Sequence, residues 1–100
     1  MNSYHTKRTS NAMLFKFSKI NPVNSNLSGN EFFNTDNIVR VIDYEDTDFG
    51  EYFIAVLFNA PDPEYREKGK GYEVNFYFDE LESKNEAFEF LITHMKAVII

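Results

Sequence analysis

Five carboxylates fall within nine residues: Asp43, Glu45, Asp46, Asp48 and Glu51. Calcium binding is the first chemistry such a run suggests. An EF-hand loop needs D-x-[DN]-x-[DN]-G, with glycine sixth and glutamate twelfth, so that the chain turns sharply around the ion and closes it with a bidentate ligand. Here Asp46-x-Asp48-x-Gly50 brings the glycine one residue early, and position 56, six residues beyond Gly50, is Val56. The match fails, and a solvated connection is the ordinary meaning of a charge run. Two aromatics, Tyr44 and Phe49, stand among the acids. Aromatic side chains supply the desolvated anchor of a protein interface while charges form its rim, and a field of one sign speeds capture of a partner of the other. The sequence therefore predicts a docking surface made of Asp43, Tyr44, Glu45, Asp46, Asp48, Phe49 and Glu51.

The remaining reactive side chains do not assemble into a catalytic set. His5 lies in the N-terminal stretch. His94 lies near the end of an expected helix, where the macrodipole favours an imidazolium, and no Ser–His or Cys–His arrangement accompanies it. There is no cysteine, so no thiolate nucleophile, no cysteine zinc site and no disulfide scaffold. Gly69, Lys70 and Gly71 do not fit a phosphate-binding loop. Tyr72, Phe76, Tyr77 and Phe78 could stack nucleic-acid bases, but such platforms need lysine and arginine nearby. The charges around them are Glu73, Asp79, Glu80 and Glu82, so core packing is the expectation. No catalytic residue, metal or cofactor is expected, and the chain is not read as an enzyme.

The elements that must position the acidic run follow from hydrophobic periodicity. One hundred residues with 43% hydrophobic and 17% aromatic content suffice for one core without staples. Residues 1–12 are polar and read as a flexible arm or a tag remnant, since Ser10-Asn11-Ala12 before Met13 resembles a cloning scar. Residues 13–100 are expected to form a single α+β domain. Residues 13–19 alternate, with Phe15 and Phe17 on one side, and predict a first strand. Residues 21–30 are a loop, and Glu31-Phe32-Phe33 is expected to plug the core with its aromatics. Residues 38–44 and 51–59 predict a second and third strand. In the third, Tyr52, Ile54, Val56 and Phe58 lie on one face and Phe53, Ala55 and Leu57 on the other, so both faces call for cover. Residues 60–71 form a charged loop, and 72–78 a fourth strand of strict period two.

Ser83 and Glu86 have the spacing of a capping box, with Asp79 an equally good cap for an earlier start, followed by an apolar stripe of Phe88, Leu91, Ile92, Met95, Val98 and Ile99. The apolar ending Val98-Ile99-Ile100 is expected to be tucked in or paired. The predicted architecture is a four-stranded antiparallel sheet in the order β-β-β-β-α, with one C-terminal amphipathic helix on one face.

Net charge is −6, and −8 from Met13 onward. That sign disfavours nucleic acid and favours a basic protein partner. No segment reaches the roughly 18 apolar residues of a membrane span, and residues 1–12 lack a signal peptide's apolar stretch, so a cytoplasmic location is expected. The functional expectation is a small acidic inhibitor that neutralises a basic partner by covering its surface. An immunity protein or antitoxin of a nuclease-type toxin, or a phage-encoded inhibitor of a host defence enzyme, would fit. The alternative is a scaffold role as a homodimer through the sheet.

Overall fold

A computed structural model of the chain describes residues 13–27, 30–59 and 71–100. The expectations for residues 1–12 and for most of the 60–71 loop lie outside the described residues.

The strongly alternating segments pair as their turns dictate. β3 (Ile38–Asp46), β4 (Glu51–Phe58) and β5 (Tyr72–Phe78) form an antiparallel three-stranded sheet with β4 in the middle. β3 and β4 are joined by residues 47–50, where Gly50 takes φ +65°, a conformation glycine adopts without a Cβ clash. Gly71 meets a different demand at the start of β5: a Cβ there would stand 2.2 Å from the Phe58 carbonyl oxygen. The ladder sets Val41 opposite Val56 and Val56 opposite Val74, then Asp43 opposite Ile54 and Ile54 opposite Phe76. Because side chains alternate, these rows and that of Glu45, Tyr52 and Phe78 share one face.

The single four-stranded sheet is corrected by the structure. β1 (Leu14–Phe15) pairs with β2 (Phe33–Asn34) in a separate two-stranded ribbon, continued by a 3₁₀ turn over Thr35–Asn37. An isolated bridge from Ile20 to Phe78 ties this part of the chain to the edge of β5, where the Asn21 N–H donates to the Tyr77 carbonyl and the Tyr77 N–H to Ser25 Oγ. The general α+β class stands, as two antiparallel sheets of two and three strands and one C-terminal helix. The division has a physical origin in the phenylalanines. Phe15, Phe17 and Phe33 are buried by lying on the sheet, with the rings of Phe17 and Phe33 edge-on to Phe76 at 5.1 and 5.3 Å. Phe33 also stacks on Phe58 at 5.0 Å. Lying across the sheet, instead of extending its edge, sets these rings directly over Phe76 of β5 and Phe58 of β4. Phe32, the other half of the expected aromatic plug, is 56% exposed.

Helix α1 (Leu81–His94) covers the rest of the same face. It begins earlier than the capping box predicted. Glu80 is the N-cap and makes no side-chain cap bond, while Ser83 is buried inside the first turn. The helix stops at Met95, where Lys96 reverses the chain at φ +56° and the Ala97 N–H donates back to the Ile92 carbonyl. The expected stripe is therefore cut short. Leu91 is fully buried, but Val98, Ile99 and Ile100 lie beyond the helix and are exposed, not tucked in. The core is Phe15, Phe17, Phe33, Ile54, Val56, Phe58, Phe76, Phe78 and Leu91.

Candidate functional site

The acidic run spans the end of β3, the turn and the start of β4, and the strand pleat divides it. Asp43 and Glu45 project to the helix side. Tyr44 and Asp46 project to the other, in register with Phe53 and Glu51. Asp48 and Phe49 lie in the turn. The seven residues are thus split between two faces and a tip.

On the helix side, Asp43 and Glu45 meet a residue the sequence reading did not single out. Lys84, on the first turn of α1, has no exposed surface. Its ammonium donates to Asp43 Oδ1 and lies 3.5 Å from Glu45 Oε1, and those carboxylate side chains are 37% and 44% exposed. A lysine is unfavourable near a helix N-terminus, where the dipole is positive. A buried ammonium is also costly unless paired. Two carboxylates offset both effects, so this pair of acids clamps β3 to α1. A signal for it existed in the sequence. Position 84 precedes Phe88 by four residues and Leu91 by seven, so a helix begun at Leu81 turns it inward, while 43 and 45 continue the inward alternation of Val41.

Among the described residues, no helix or strand packs over the opposite face of the sheet. Across its centre the rings of Tyr44, Phe53 and Tyr77 form a ladder spanning all three strands, with centroids 4.5 and 4.7 Å apart. One residue row separates this ladder from Arg40 of β3, whose guanidinium lies 3.6 Å from the Glu73 carboxylate. In the intervening row the Asn75 side-chain oxygen is buried without a hydrogen-bond partner.

At the tip, Asp46 folds the turn by accepting from the backbone N–H groups of Asp48, at 3.1 Å, and Phe49, at 3.4 Å. That fixes Phe49 outward, with 80% of its surface exposed. No lysine or arginine among the described residues pairs with Asp46, Asp48 or Glu51. Beside the tip, Glu51, Tyr52, Tyr77 and Asp79 line a hollow of about 410 Å³.

The described residues hold no group of three or more histidine, cysteine, aspartate or glutamate side chains placed to bind a metal ion. Among them, no helix is long and apolar enough to cross a membrane. No protein-family model, curated protein or solved structure matches this chain.

Proposed function

We propose that this chain is a binding protein that neutralises a basic protein partner by covering its surface, with the β3–β4 hairpin as its leading edge. One observation carries the reading. Phe49 is held out at the tip by the Asp46 turn, and the three carboxylates around it, Asp46, Asp48 and Glu51, have no cationic partner among the described residues. An exposed aromatic costs hydration free energy that burial in an interface recovers, and surrounding unpaired acids draw in a positive surface. Behind the tip, the Tyr44–Phe53–Tyr77 ladder supplies a rigid aromatic floor on which the contact extends. Asp43 and Glu45 add to the negative field at reduced strength, because Lys84 stands between them.

A partner with substrate-binding lysines or arginines, such as a nuclease-type toxin or a host defence enzyme, offers the complementary chemistry. Neutralisation by an immunity protein, an antitoxin or a phage-encoded inhibitor would act by occlusion in the cytoplasm. The test is affinity capture from the source organism at low and high salt, with the wild-type chain and a D48N/E51Q variant. A basic protein is expected, released by salt and recovered poorly by the variant. Capture of nothing, or of an acidic protein indifferent to salt and to the substitutions, overturns the proposal.

A further inference from the structure

A groove of opposite character lies on the other layer of the molecule. It has a volume of about 530 Å³ and runs between the segment that carries β1 and the first half of α1. Its apolar surface comes from Leu14, Phe32, Ala87 and Phe90, of which Leu14, Phe32 and Phe90 are exposed. Lys16 and Lys19 stand on it against one acid, Glu86. The Lys16 ammonium donates to Asn30 Oδ1 at 2.7 Å and lies 5.7 Å from the centre of the Phe32 ring, so it is held at the groove without a carboxylate partner among the described residues. A lysine-bearing apolar groove on a chain of net charge −6 is a local inversion of sign.

We infer that this groove is a docking site for the hairpin tip of a second copy of the chain. The Phe49 ring would enter the apolar trough while Asp48 and Glu51 face Lys16 and Lys19. The inference goes beyond the proposed function: it uses the same tip but assigns a new site. Charge selects the occupant. The twelve residues before Met13 carry Lys7 and Arg8 and no acid, and do not match the lysines. The tip joins an exposed aromatic to carboxylates that have no cationic partner among the described residues. Charge also argues against self-association through the open sheet face. Its one cation among the described residues, Arg40, already faces Glu73, so stacking two such faces would bury Asp46 and Glu51 uncompensated.

Hairpin and groove lie at the same end of the molecule, because Phe78 lines the groove and pairs with Tyr52, the residue after Glu51. A two-fold axis then lets each copy fill the other's groove, and the contact closes on itself.

Sedimentation equilibrium across a concentration series tests this on the wild-type chain, on K16E/K19E and on F49S. Every substituted side chain is exposed, and circular dichroism verifies that each variant is folded. The expected result is a wild-type monomer–dimer equilibrium that weakens as salt rises, with each variant weakening it by about tenfold or more. A wild-type chain that stays monomeric up to about 1 mM overturns the inference. So does a dimer that K16E/K19E leaves intact, as association through the open sheet face would. The groove substitutions lie outside the hairpin, leave its tip free and add negative charge, so capture of a basic partner by K16E/K19E is expected to equal or exceed that by wild type. Failure of self-docking and failure of the proposed function are therefore read separately.

Discussion

Lys84 and its two carboxylates are not equivalent, because their access to water differs. The lysine is sealed from solvent, while Asp43 and Glu45 each keep over a third of their side-chain surface in water. Removing the lysine leaves two acids that can hydrate; removing the acids leaves a buried ammonium with nowhere to go. Replacing a buried charge by an apolar side chain of similar volume is often neutral, whereas orphaning one is not. Lys84→Met is therefore expected to change unfolding free energy by less than about 1 kcal/mol. The double substitution D43N/E45Q should cost on the order of 2–4 kcal/mol, somewhat below a fully enclosed pair because water screens the carboxylates. Urea unfolding of the two variants checks this, and equal losses would show that Lys84 is not the buried partner. Little of this triad was legible. A lysine within a helical pattern reads as surface, and the five acids read as one cluster until the pleat separates Asp43 and Glu45 from Asp46.

At the scale of elements, the central strands were legible because their alternation is strict and their connections are polar. Ile54, Val56 and Phe58 do enter the core, as do Phe76 and Phe78 across the ladder, while Tyr52 shares their face at its edge. The first strand was not. A two-residue pairing such as Leu14–Phe15 with Phe33–Asn34 carries too little periodicity to separate a ribbon lying on the sheet from a fourth strand within it. Of the two helix starts the sequence offered, the one near Asp79 lies beside the observed N-cap and the capping box does not. Ser83 and Glu86 have capping-box spacing, but Ser83 is buried in the first turn and the true N-cap, Glu80, makes no side-chain cap bond. That leaves a stabilising change available. Glu80→Ser should cap an unsatisfied N–H of the first turn and raise stability by about 0.5–1.5 kcal/mol, read as a higher thermal midpoint. An unchanged or lower midpoint would mean that the Glu80 charge already stabilises the helix start as well as a cap does.

The whole molecule is a two-layer arrangement with unequal faces. One side of the three-stranded sheet is covered over most of its area by α1 and the β1–β2 ribbon. The other shows an aromatic ladder and ends in an acidic tip. Apolar residues on both sides of β4 already implied a second cover, and the open face is where one is wanted. Of the seven residues expected to dock a partner, Tyr44, Asp46, Asp48, Phe49 and Glu51 lie on the open face or in the turn, and Asp43 and Glu45 pair with Lys84.

The central claim is that this tip captures a basic protein by its field and anchors it by Phe49. The most direct measurement is the association rate with the captured partner as ionic strength is varied, for wild type and for D48N/E51Q. The wild-type rate should fall steeply as salt rises, and the variant should start lower and respond less. A rate indifferent to salt, or identical in the two chains, would contradict it.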